Sequence, residues 1–186
     1  LSMGKDADER LAGQLVDLIL FRCTGRIERA RVLWDQLAVL GGIADSGLYG
    51  YLLRFKELVT DFPDCIEDLR ASSEWFLEKG LVSSAAYSEL TLASHVARMG
   101  DAAGAMRAVE VAKFLLTSTA RDQHILLNNE TAVNLLSEAP DPAVCCDRLT
   151  RAIPCSGDDY SDLVLYVNLS VSAALAGRSD LAAEAV

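Results

Sequence analysis

The stretch YSELTLASHVARMGDAAGAMRAVEVA, Tyr87–Ala112, decides how this chain folds. Leu92, Ala93 and Val96 lie before Met99-Gly100-Asp101, and Ala105, Val109 and Ala112 lie after it, each set at helical spacing. Alanine loses little entropy in a helix, and its small side chain lets two helices touch closely. Glycine is the residue that ends a helix without strain. The stretch therefore predicts two short helices joined by a tight turn.

Similar breaks recur along the whole chain. The landmarks Gly25, Phe62, Gly100, Ala139 and Gly177 are separated by 37, 38, 39 and 38 residues. So steady a period marks a repeat architecture. Five helical hairpins are predicted, over 7–42, 46–80, 83–118, 122–153 and 161–186, in a single domain covering 1–186. The last stops about one turn into its second helix, which predicts an excerpt of a longer protein.

In the first hairpin Asp6 and Glu9 form a helix-start pair, and Leu11, Leu15, Leu18 and Phe21 follow at helical spacing. After Gly25, Ile27, Ala30, Leu33, Trp34 and Leu37 fall on one stripe, which Gly41-Gly42 ends. Ser46 is the expected N-cap of a helix over Gly47–Thr60, broken by Asp61-Phe62-Pro63-Asp64. The fourth hairpin turns at Glu138-Ala139-Pro140-Asp141-Pro142, and a polar loop from Pro154 to Asp159 precedes the fifth.

Composition narrows the function classes. The 186 residues carry a net charge of -10, and their basic residues are scattered among carboxylates, which disfavours nucleic acid and anionic membranes. Leu15–Phe21 is too short to span a bilayer, and charged residues occupy the place of a signal peptide's apolar core. Five cysteines without paired spacing predict a reduced, cytoplasmic setting.

The same residues return at the same offsets in three hairpins. Leu92-Ala93, Val96, Gly100, Ala105 and Val109 correspond to Leu169-Ser170, Ala173, Gly177, Ala182 and Val186. Leu18, Phe21, Gly25, Ala30 and Trp34 repeat the pattern. This resembles the tetratricopeptide repeat (TPR), whose usual period is about 34 residues. The resemblance implies an all-α, right-handed superhelical array, an α-solenoid of about five antiparallel helix-turn-helix units. The fourth unit fits with one inserted residue, reading Cys145 in the small-residue place. The second fits poorly, with Ile66 or Glu67 there. HEAT-like packing would accommodate the longer period, and a bundle around one central core is the structural alternative.

In such arrays the first helices line an inner, concave face where partners bind. Carried over by offset from each turn, that face takes Leu15, Ile19 and Arg22 from the first unit. Tyr49, Leu52 and Lys56 come from the second, and Tyr87, Leu90, Ser94 and Arg98 from the third. Asn129, Val133, Val167 and Val171 complete it. The resulting groove is largely apolar and lacks the lysine and asparagine run with which some family members hold a terminal carboxylate. A hydrophobic protein segment or peptide is the expected partner. The alternative for any of these side chains is packing against a neighbouring helix.

No cofactor or metal is expected. Cys145 and Cys146 point about 100° apart on a helix, no CxxC or HxxxH pair exists, and Cys155 is isolated. Gly41, Gly42, Gly47 and Gly50 lack the lysine-serine or lysine-threonine of a phosphate loop and read as a helix stop and a loop. Asp158, Asp159 and Asp162 lack calcium-loop spacing. His95 and His124 are isolated and read as surface or interfacial.

The sequence thus predicts a non-enzymatic interaction module or scaffold, in the sensor or regulatory part of a larger signalling protein. An acidic chaperone for a secreted protein is the alternative within that class. An enzyme using His95 or His124 as acid or base is the alternative outside it. The C-terminal hairpin, with Val164, Val167, Ala174 and Leu175, invites pairing with a second copy.

Overall fold

The structure, a computed structural model, describes residues 5–39, 43–60, 63–116, 120–153 and 159–185. All regular structure among them is helical. The α-helices are α1 (Lys5–Cys23), α2 (Ile27–Ala38), α3 (Tyr49–Phe55), α4 (Ile66–Glu78), α5 (Val82–Arg98), α6 (Ala102–Leu115), α7 (Ala120–Leu135), α8 (Pro142–Ala152), α9 (Asp159–Leu175) and α10 (Ser179–Glu184). Of the expected hairpin pairs, α1 packs on α2, α3 on α4, α7 on α8 and α9 on α10. The chain divides into two compact units, Leu1–Ser88 and Glu89–Val186, with the division falling inside α5.

The turns follow from glycine's access to left-handed backbone. Gly25, Gly100 and Gly177 take φ of 72°, 84° and 71°. At each, the following amide reaches back to a carbonyl five residues earlier: Arg26 to Phe21 at 2.7 Å, Asp101 to Val96 at 3.3 Å and Arg178 to Ala173 at 2.8 Å. This is the Schellman closure, which satisfies carbonyls the helix end would otherwise leave open. Gly80 repeats it between α4 and α5, with φ of 70°. Asp101 then caps α6 by accepting from the Gly104 amide at 2.7 Å.

The fourth hairpin turns without glycine. The Asn134 side chain accepts from the Asp141 amide at 2.9 Å, and Asp141 accepts from the Val144 amide at 3.0 Å. Pro142 occupies the first turn of α8, where its missing N–H costs nothing.

In the first unit α1 packs on α2 and α3, and α3 on α4. Leu11, Leu15, Leu37 and Leu52 form one buried cluster, and Leu18, Ala30 and Val59 form another. In the second unit α6 packs on α7, α7 on α8 and α9, and α9 on both α8 and α10. Cys146, Leu149, Ile153, Leu165, Leu169 and Ala173 form a buried cluster there. Ala30 and Ala105 are fully buried, and Cys145 is buried in the corresponding place in α8.

Three local expectations are corrected. The helix expected over 47–60 is α3 alone, and the chain tightens into a 3-10 turn at Lys56–Leu58. Ser46 is not the N-cap: Leu48 holds that place, and the Ser46 hydroxyl accepts from the Leu48 amide at 3.0 Å while donating to Asp8 at 2.7 Å. Gly50 is no loop glycine but a buried position inside α3. A Cβ there would lie 2.5 Å from Trp75 Cε3, so glycine is what lets α3 and α4 approach. Gly41, Gly42, Phe62 and Cys155 lie outside the described residues.

Candidate functional site

In the first unit, the side chains expected on the inner face divide by packing. Leu15 and Leu52 are buried against one another's cluster, because consecutive first helices, α1 and α3, meet along that stripe. Neither offers an open contact. Tyr49 is half-buried on the rim of the same cluster. Lys56 is half-buried, with its Nζ 2.5 Å from Asp68 Oδ2, and so ties the end of α3 to α4.

The ring of Tyr87 is half-buried and stands 5.5 Å from the guanidinium carbon of Arg54. Arg54 also lies 5.6 Å from the Phe55 ring. The Tyr51 hydroxyl and Ser84 Oγ are 3.0 Å apart, joining α3 to the first turn of α5. Tyr51 itself packs edge-on to Phe76 at 4.7 Å. Burial pulls the Arg54 guanidinium down from its ordinary range, against the upward pull of Glu57, Tyr51 and Tyr87. Sequence reasoning passed over Arg54 because its ring partner Tyr87 is remote in the chain.

In the second unit Leu90 and Val133 are core residues, only 3% and 1% exposed, which corrects their assignment to a binding surface. Arg98 is exposed. Ser94 Oγ donates to the Leu90 carbonyl and to Asn129 Oδ1, both at 3.3 Å, and Asn129 Nδ2 donates to the Ile125 carbonyl at 2.9 Å. Asn168 Nδ2 donates to Asn128 Oδ1, linking α9 to α7. Polar side chains thus fix the register of the first helices. Glu130, on α7, is buried and takes both Arg148 of α8 and Lys113 of α6, the latter at 3.5 Å.

Val167 and Val171 are open, unlike Leu90 and Val133. Leu163, Val167, Val171 and Leu175 are 61%, 56%, 46% and 60% exposed, and four-residue spacing keeps them on one slowly turning stripe of α9. From Leu163 to Gly177 the sequence contains no charged residue. Beside the stripe, Tyr166 enters a cleft of about 270 Å³ with Thr150, Ile153, Leu169, Leu181, Glu184 and Ala185.

His95 and His124 are both buried, on α5 and α7. Among the described residues no hydrogen bond reaches His124 Nδ1. Also among these residues, no three His, Cys, Asp or Glu side chains gather as a cation site, and no helix is long and apolar enough to cross a membrane.

Cys65, Cys145 and Cys146 are buried, and burial raises each thiol above its usual range, whereas Cys23 is exposed. A thiol reagent at neutral pH should therefore label Cys23 ahead of Cys65, Cys145 and Cys146, reaching those three more than about a hundredfold more slowly, through opening of the fold. Peptide mapping of the labelled protein against time checks this order.

In comparison with known proteins, the chain matches no family model, no curated protein and no solved structure.

Proposed function

We propose that the chain is a TPR-like array of helical hairpins, an α-solenoid, that acts as a protein-interaction module by binding an amphipathic helical segment of another protein along α9. The exposed, charge-free stripe Leu163, Val167, Val171 and Leu175 carries the reading. Apolar side chains aligned over several helical turns suit the apolar face of an incoming helix.

The packing of the first helices supports a helix as the occupant. Val167 stands at the same distance before its turn as Leu15 and Leu52 do before theirs. Leu15 of α1 is covered by packing with α3. A helix is therefore what this chain uses to cover that position. Recurrence of the same glycine closure at three turns, with α1, α3, α7 and α9 each packed on the second helix of its hairpin, supports the array. The partner is a protein or peptide, and a second copy of the chain is one candidate supplier of the helix.

The test is selection of binders from a library of amphipathic helical peptides on the wild-type protein, followed by titration of the Val167→Asp/Val171→Asp variant. Loss of two buried valine contacts and burial of charge should weaken binding at least about a hundredfold. Helical circular dichroism should stay unchanged, since both side chains are half-exposed. Retention of affinity by the variant would rule out α9. Sedimentation of wild type and variant separates self-pairing, which the same substitutions should abolish, from binding of a foreign helix. Polar substitution at Leu52 or Leu90 would report on folding instead, because both are core.

A further inference from the structure

We propose that Arg54, steadied by the rings of Phe55 and Tyr87, binds a carboxylate presented by a peptide. Arg54 lies in the last turn of α3, and its guanidinium carbon stands 5.6 Å from one ring centroid and 5.5 Å from the other. Stacking uses the face of a guanidinium and leaves its edge donors available for in-plane hydrogen bonds. Among the described residues no hydrogen bond or ion pair takes up those donors.

The contrast with Lys56, two residues on, is instructive, since that cation is neutralised by Asp68 at 2.5 Å. Arg54 has shed much of its water without such a counter-ion, and a desolvated charge left in that state is costly. An incoming carboxylate removes the cost and matches the guanidinium fork with two parallel bonds. The Tyr51–Ser84 contact at 3.0 Å holds α3 to the turn of α5 that leads into Tyr87, so the arginine is placed before the ligand arrives.

The surrounding charge selects among anions. Glu57 acts electrostatically on Arg54, and the chain carries a net charge of -10. That negative field opposes a phosphate dianion more than a monoanion, so a carboxylate is favoured over a phosphorylated side chain. The half-buried rings of Phe55 and Tyr87 supply apolar walls for the residues flanking it.

Three immobilised arrays of acetylated, amidated peptides test this. Leucine, valine and phenylalanine are randomised around a fixed central glutamate, glutamine or phosphoserine, and a fourth array carries its only carboxylate at a free C-terminus. Wild-type protein should prefer the glutamate or free-terminus array to glutamine by about tenfold or more, as expected for a charged hydrogen bond. Whichever of those two is preferred identifies the source of the carboxylate. Arg54→Gln should abolish the preference, and Arg54→Lys should reduce it, because lysine keeps the charge and loses the fork.

Melting curves of both variants separate a packing role from recognition. A shifted midpoint with the glutamate preference intact would overturn the proposal, as would preference for phosphoserine or no discrimination at all. The Val167→Asp/Val171→Asp variant should keep the glutamate preference, so failure here and failure of the α9 reading are distinguishable.

Discussion

Gly50→Val is expected to destabilise the protein by about 2–3 kcal/mol, the upper part of the range for forcing extra atoms into a packed contact. Any side chain at Gly50 starts inside van der Waals distance of α4: a Cβ would lie 2.5 Å from Trp75 Cε3 and 3.0 Å from Phe76 Cε1. Those rings have little room to yield. Trp75 and Phe76 are packed edge to face at 5.5 Å, and Phe76 is fully buried with Tyr51 against it. The Gly50 carbonyl is also engaged, accepting from Ser72 Oγ at 2.8 Å, so α3 cannot slide without losing that bond. Gly13 supplies the control. It too lies within a helix but has nothing within 4 Å of its Cβ position, so Gly13→Ala should stabilise by about 0.5–1 kcal/mol. Urea midpoints of the two variants, measured beside wild type, give the comparison. A Gly50→Val midpoint equal to wild type would mean that α3 and α4 do not approach as described.

Leu149→Ala should cost about 3 kcal/mol, within the range for removing a buried leucine. Leu149 is fully buried among Cys146, Ile153, Leu165, Leu169 and Ala173, where α8 and α9 pack. Alanine would leave a void between two helices that are both fixed at their ends, α8 by its Asp141 cap and α9 by the Gly177 closure. Since the chain forms two compact units, the loss should be local. Hydrogen exchange should show faster exchange in α8 and α9, with α1 to α4 unchanged. Equal acceleration in both units would show that they open as one.

Three of the hairpins were legible because their turns depend on one residue type. Left-handed backbone at Gly25, Gly100 and Gly177 costs glycine least of all residues, so spacing exposed it directly. Gly50 obeys a different rule. It sits in ordinary helical backbone, and only the rings of α4, more than twenty residues away, give it a reason. Periodicity likewise placed Leu52, Leu90 and Val133 on the first helices but could not say that the fold buries all three. The polar links Ser94–Asn129 and Asn128–Asn168 were invisible for the same reason, since each joins helices from successive hairpins.

Glu130 has a consequence for treating these hairpins as interchangeable parts. Its carboxylate answers Lys113 from the hairpin before it and Arg148 from its own. Asn128, two residues earlier on α7, is committed to Asn168 of the hairpin after it. Excising or transplanting the α7–α8 pair would strand polar groups at both new junctions, whatever the fit of the apolar surfaces. The repeat unit that is uniform in length is therefore individual in its polar chemistry, and the order of the hairpins is written into the side chains that join them.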